Sequence, residues 1–236
     1  MNLTEHLIAI DNNLKAILAE SNEALGEKSV EKLVDLPSAI GDITKENNSY
    51  LYQENDLSFY RVKAPVNVAV TLPIAQTTMG QMFRECNNMP SIAVKGKNTI
   101  TSLYRAFYYC QCAKEIMFEA DTSRCTNFES AFEYAEIATT IIGDLDFTSA
   151  TNVSRCFFAC TNLINVNFVE GTLNKTMTVP SNCLSEASKQ SIVDGLATVP
   201  ELQKLSLGNV TLTGDQINTV LNKGWSLSLN GQEVVL

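Results

Sequence analysis

Residues 151–160 read TNVSRCFFAC and align without a gap with three earlier segments: TTMGQMFREC from Thr77, TSLYRAFYYC from Thr101 and TNFESAFEYA from Thr126. The starts lie 24, 25 and 25 residues apart. A further step of 25 reaches Thr176, where TMTVPSNCLS keeps the initial Thr and loses the Phe. Repetition at such a period marks units that cannot bury an apolar face alone and do so against their neighbours.

The apolar columns repeat within the copies. The third column holds Met79, Leu103, Phe128 and Val153, and the sixth holds Met82, Ala106, Ala131 and Cys156. The seventh is always Phe, at positions 83, 107, 132 and 157, and the tenth is Cys86, Cys110, Ala135 and Cys160. Such spacing puts these side chains on one face of a short helix. The thirteenth column (Met89, Ala113, Ala138, Leu163) and the sixteenth (Ile92, Ile116, Ile141, Val166) continue the pattern. Alternation follows in Ile116-Met117-Phe118 and Val166-Asn167-Phe168, as in a strand. The expected unit is a short helical turn and a short strand. Stacked units predict an α/β (α+β) repeat solenoid with a period of about 25 residues.

The run DFTSATNVSRCFFACTNLINVNF, residues 146–168, resembles the BspA-like leucine-rich repeats of bacterial and mycoplasma surface proteins. In that family a turn rich in Thr, Ser and Asn leads to a Met-Phe or Ala-Phe pair, a Cys and a Leu-containing strand. Residues 77–175 carry the resemblance. Ala113 and Ala138 stand where the family prefers Leu, and Ala135 where it prefers Cys, so the second and third strands are the loosest in register.

A stack of repeats needs caps at both ends. At the C-terminal end, residues 176–236 predict an α/β cap. SEASKQSIVDGLATV has helical spacing at Ile192, Val193 and Leu196, LQKLSLGN reads as a strand, TGDQINTVLNKG as a second helix ending at Gly224, and WSLSLN as a last strand. The helix around Asp215-Gln216-Ile217 and the strand Lys223-Gly224-Trp225-Ser226-Leu227 resemble the C-terminal tails of phage minor structural proteins. Those tails carry a Thr-x-(Glu/Asp)-Gln-Ile helix and a Lys-Gly-Trp-x-Leu strand, so the resemblance implies a virion component and names no functional residue.

At the N-terminal end, Leu3, Leu7, Ile10, Leu14 and Ile17 alternate in steps of four and three, the seam of a coiled coil. Residues 1–43 form either an oligomerisation segment, joining two or three copies, or an amphipathic helix packed on the chain's own repeats. Leu33, Leu36 and Ile40 around Pro37 form a second short element resembling the joint of phage tail proteins. Residues 44–76, with Val66, Val68 and Val70 in alternation, predict an N-terminal β cap.

The 236 residues carry 17 basic and 26 acidic side chains, a net charge of −9. Counterion release gives an acidic chain no affinity for nucleic acid, and anionic lipid disfavours it for the same reason. The start, MNLTEHLIAIDNNLKAIL, has acids where a signal peptide is apolar, and no stretch is long enough to span a membrane. The expected location is therefore a virion assembled in a bacterial cytoplasm, or else a bacterial surface. The sequons at Asn152, Asn174 and Asn209 matter only after export.

The residues offer little chemistry. His6, in the N-terminal helix, is the only histidine, so a His-assisted Ser or Cys nucleophile has no base. The seven cysteines are expected to be reduced, with Cys86, Cys110 and Cys160 in one buried column, and Cys112 and Cys125 off it as candidate exposed thiols. Asp144-x-Asp146 without a Gly-containing loop reads as a solvated loop before it reads as half a cation site. No Gly-rich phosphate loop is present, so no cofactor, metal or enzymatic activity is expected.

Repeat arithmetic does predict a surface. If the third, sixth, seventh and tenth columns face inward, the eighth and ninth face out: Arg84-Glu85, Tyr108-Tyr109, Glu133-Tyr134 and Phe158-Ala159. Tyr108, Tyr109, Tyr134 and Phe158 then form an aromatic ribbon with Tyr104 beside it. Exposed aromatic rows serve protein or glycan contact, unless a neighbouring subunit or the N-terminal helix covers them. The expected function is non-enzymatic: a phage tail or receptor-binding component contacting other virion proteins or a host-surface protein or glycan. The alternative is a cell-surface adhesin.

Overall fold

The computed structural model of the protein describes residues 59–61, 67–73 and 75–234. The proposed seam (Leu3, Leu7, Ile10, Leu14, Ile17), the element around Pro37 and Val66 of the β cap lie outside them.

The expected α/β repeat solenoid, with a helix in every BspA-like copy, is corrected by what forms, while the expected N-terminal helix lies outside the described residues. The described residues build a five-stranded, all-parallel sheet and a small four-stranded mixed sheet, and their two helices both follow the four sequence copies. The first sheet runs β1 (Val68–Thr71), β2 (Ser91–Lys95), β3 (Glu115–Phe118), β4 (Thr140–Leu145) and β5 (Asn165–Phe168), in that spatial order. The second contains β6 (Met177–Val179), β7 (Gln203–Leu207), β8 (Trp225–Leu229) and β9 (Gln232–Glu233). Helix α1 (Glu186–Gly195) lies between β6 and β7, and α2 (Gly214–Asn222) between β7 and β8.

The expected short helices are absent for a physical reason. Met82 N–H donates to Met79 O and Cys86 N–H to Phe83 O, closing two successive four-residue turns. Their third residues, Gln81 and Glu85, have φ of +59° and +62°. A turn with positive φ at that position alone is type II, and an α-helix of L-residues does not accommodate it. The same two columns are left-handed in every later copy, at Arg105 and Tyr109, Ser130 and Tyr134, and Arg155 and Ala159. Two linked turns therefore put the third, sixth, seventh and tenth columns on one side, just as a helix would.

Hydrogen bonds between copies hold the turns in a ladder. Met79, Gln81, Phe83 and Glu85 donate their N–H groups to Ser102, Tyr104, Ala106 and Tyr108 of the next copy at 2.7–2.9 Å. The invariant first Thr has a structural role here. Thr101 Oγ1 donates to Thr77 O, Thr126 Oγ1 to Thr101 O and Thr151 Oγ1 to Thr126 O. The second column caps the first turn: Thr78, Ser102, Asn127 and Asn152 each accept the N–H two residues ahead through the side-chain oxygen.

Beneath the turns, Phe83, Phe107, Phe132 and Phe157 stack with ring centroids 5.4–5.5 Å apart and planes within 6° of parallel. Phe59 extends this column at 5.0 Å. On the strand side Ile92, Ile116 and Ile141 stand in register and buried. At β4, the residues 141–143 face Val166 alone between the Thr140–Asn165 and Asp144–Asn167 pairs, a bulge. Gly143 (φ +150°) occupies it because a β-carbon there would stand 2.7 Å from Phe118 O.

Helix α1 covers the free edge of β5. Ser188 Oγ accepts Val166 N–H and Ser191 Oγ accepts Phe168 N–H, both at 2.9 Å, where a sixth strand would otherwise pair. The phage-tail-like residues prove to be folding devices. Thr213 and Gln216 form a reciprocal capping box on α2. Lys223 Nζ donates to Val193 O and Asp194 O at the end of α1, and Trp225 Nε1 donates to Ala197 O at 2.8 Å. Gly224, left-handed at φ +86°, lies so close to Val199 O that a β-carbon would come within 2.7 Å of it.

Candidate functional site

The two left-handed turns decide what the protein presents on this side. Their central residues, the fourth, fifth, eighth and ninth columns, point away from the Phe stack, and each copy's set lies beside the next through the backbone ladder. All five residues of the expected ribbon fall in these columns. Tyr108 and Tyr109 have centroids 4.8 Å apart, Tyr109 and Tyr134 4.4 Å, and Tyr134 and Phe158 5.5 Å. Tyr108 also meets Tyr134 edge-on at 6.3 Å. Phe158 is 42% exposed, and the four tyrosines are half-buried. Tyr104 touches the row through Arg105, whose guanidinium lies 5.0 Å from the Tyr104 ring and 5.3 Å from Tyr108.

The eighth column does not simply face out. Glu133 is 3% exposed, because Arg155 of the next copy folds over it, with Nε 2.9 Å from Glu133 Oε1. Arg155 also stacks on Phe158 at 3.9 Å. Burial pushes the Glu133 carboxyl up, but the bonds from Arg155 and Ser130, with the Arg155 and Arg105 charges, outweigh it and hold the group below its ordinary range. Glu85 has a similar environment. Its burial is outweighed by Arg61, 2.6 Å away, and by Arg84, so it too is held low. Burial and the neighbouring Tyr134 and Tyr108 phenols raise Tyr109 above its usual value.

The surface is thus a band of aromatic rings and guanidinium groups. Arg61, Arg84, Arg105 and Arg155 are four of the five arginines in the sequence. The aromatic ribbon was legible in the repeat; the arginines' part in it was not, because each partner comes from a neighbouring copy. Tyr60 and Arg61 were also missed. Phe59-Tyr60-Arg61 stands 24 residues before Phe83-Arg84-Glu85, and Arg61 shares the left-handed φ of +60°. Stepping the repeat back once locates it.

The cysteines behave differently from one another. Cys86, Cys110 and Cys160 donate their thiols to the Phe59, Phe83 and Phe132 carbonyls at 2.8–3.0 Å. Burial raises Cys160 to about 12 and Cys110 well above its ordinary value. Cys112 is exposed, but Cys125 is buried against its expected exposure, and its thiol is raised to about 11 by that burial. Cys183 is the other exposed thiol.

Asp144 accepts from Asn167 Nδ2 at 2.6 Å and Asp146 from Thr148 N–H at 2.8 Å. Both line an open groove of about 490 Å³ with Glu119, Asp121 and Lys97. Among the described residues, no three His, Cys, Asp or Glu side chains are grouped to hold a metal ion, and no helix is long and apolar enough to cross a membrane. Comparisons of the chain with family models, with curated proteins and with solved structures give no match.

Proposed function

We propose that this chain is a non-enzymatic binding protein of a phage virion, acting in host attachment or tail assembly through its aromatic–arginine band. The band carries the reading: six rings (Tyr60, Tyr104, Tyr108, Tyr109, Tyr134, Phe158) and four guanidinium groups occupy one face, held by a rigid backbone ladder. Tyr rings bind partners with little side-chain entropy to lose, and Arg is enriched with Tyr where binding energy concentrates. The virion assignment draws on the Thr213–Gln216 and Lys223–Trp225 residues that resemble phage tail proteins, and the N-terminal seam adds a homodimer or homotrimer.

Two measurements test it. Mass spectrometry of purified particles from the strain that carries the gene is expected to find the chain in the virion. Recovery only from the cell wall of uninfected cells replaces this reading with the cell-surface adhesin. Fluorescent full-length protein is expected to label host cells, with labelling reduced about tenfold or more in a Tyr109→Ala, Tyr134→Ala variant, since losing two anchoring rings costs at least about 1–2 kcal/mol.

A further inference from the structure

Three of the band's arginines are held by acids of the chain itself. Arg61 and Arg84 pair with Glu85, and Arg155 pairs with Glu133. Arg105 differs. Among the described residues it has no ion-pair partner, and its Nε is buried with no acceptor. The acid beside it in the next copy, Glu129, accepts instead from Asn152 Nδ2 at 2.8 Å. Glu133 feels Arg105 only through its charge and is already bonded to Arg155. The Arg105 guanidinium is held in place by the faces of Tyr104 and Tyr108.

We infer that Arg105 is the docking point for the carboxylate of an acidic sugar, and that Tyr108, Tyr109, Tyr134 and Phe158 carry the sugars that follow it. This rests on the band being a contact surface and names its ligand. A guanidinium takes a carboxylate through two parallel N–H bonds; with the Arg105 Nε buried, its two terminal amino groups are the pair that offers them. Rings set side by side copy by copy, at centroid distances of 4.4 and 5.5 Å with planes turned by 43° and 80°, line a path along which successive sugars can lie. Pyranose rings present apolar C–H faces to such a row.

The chain's own acids limit the choice. Glu85, Glu129, Glu133 and Glu136 lie on or beside the band. A nucleic acid or a polyacidic peptide would bring a charge to every step and meet them. A glycan that alternates a carboxylated sugar with a neutral one can place a carboxylate on Arg105 while bringing half as many charges past those acids. Arginine matters here as a fork and not as a point charge, so lysine is not an adequate replacement.

The test is affinity electrophoresis of the full chain through gels containing hyaluronate or heparosan, each alternating a uronate with an N-acetylhexosamine. Carboxyl-reduced hyaluronate and polyglutamate are the controls. The wild type is expected to be retarded by at least one of the two glycans, and by neither control. Arg105→Gln and Arg105→Lys are expected to weaken retardation about tenfold or more, while Lys204→Gln, on the second sheet, leaves it unchanged. Thermal melts by circular dichroism establish that each variant is folded. Retardation by neither glycan, equal retardation by polyglutamate or by the reduced glycan, or wild-type behaviour of folded Arg105→Gln overturns the proposal. Should host cells still be labelled through Tyr109 and Tyr134, the ligand assignment alone fails and the contact surface stands.

Discussion

Eight non-glycine residues adopt left-handed backbone in the four copies, two in each, and none is replaced by Gly. A left-handed L-residue costs about 1–2 kcal/mol, a cost that side-chain contacts can offset. Arg105, Tyr109, Tyr134 and Arg155 make the ring and ion-pair contacts of the band. Ala159, with φ of +65°, has no side chain to do so. Ala159→Gly is therefore expected to stabilise the protein by about 0.5–1 kcal/mol, the relieved strain less the greater freedom of an unfolded glycine. Urea unfolding reads this as a raised midpoint; a lowered one means that the Ala159 methyl is packed and the strain argument is wrong. Tyr134→Gly relieves the same strain but loses the ring's contacts with Tyr108, Tyr109 and Phe158, and should not gain. Phe132 lies mid-stack, 5.4 Å from both Phe107 and Phe157 and fully buried. Truncation to Ala is expected to cost about 3–5 kcal/mol. Thiols report on the same interior. Native protein should alkylate at Cys112 and Cys183 and resist at the five buried cysteines, with all seven reacting in denaturant.

At the scale of elements, the edge of β5 shows how the parallel sheet ends. Its Val166 and Phe168 N–H groups have serine hydroxyls of α1 as acceptors instead of another strand. Ser188→Ala leaves a buried N–H without an acceptor and is expected to cost about 1–3 kcal/mol, with a smaller loss at half-buried Ser191. The double variant should show faster hydrogen exchange at Val166 and Phe168, and a tendency to associate through the uncovered edge. Unchanged exchange at both amides would falsify the covering role. These hydroxyl acceptors were not legible, because Ser188 and Ser191 read as ordinary polar helix positions. What was legible was spacing. The Phe column, the Thr column and both C-terminal helices could be placed from periodicity and, for the second helix, from its end at Gly224, whereas the capping box of Thr213 and Gln216 emerged only in the structure. Periodicity also misled, since columns three, six, seven and ten fit a helix and a pair of linked turns equally well. Only positive φ separates the two, and glycine, its usual signal, is missing from Gln81, Glu85 and their counterparts. The Asn230-Gly231 pair does carry that signal: both are left-handed and close the two-residue β8–β9 hairpin.

Over the whole molecule, a net charge of −9 is countered locally where carboxylates meet arginines or backbone donors. Glu133, Glu85 and Asp121 all have folded-state pKa values held below their ordinary ones; for Asp121 the N–H and hydroxyl of Ser123 and the hydroxyl of Thr99 dominate. The unfolded chain therefore takes up protons at a higher pH than the folded one. The stability these groups contribute is fully present above the unfolded values, 4.5 for Glu and 3.8 for Asp, and is lost as pH falls through the lower folded ones. The expected melting temperature is flat towards neutral pH and drops on acidification below about pH 4.5. Glu133 is the most buried of the three and bridges two copies through Arg155, so it should account for a visible part of that acid limb. Glu133→Gln is expected to lower the melting temperature at pH 7 and to flatten the limb, because an amide keeps the shape but has no proton to take up. Arg155→Gln should reproduce the neutral-pH loss, while raising the pH at which the remaining carboxylate titrates. If Glu133→Gln melts lower but with an acid limb parallel to that of the wild type, the bond between copies is structural only. The acid sensitivity then belongs to Glu85 and Asp121.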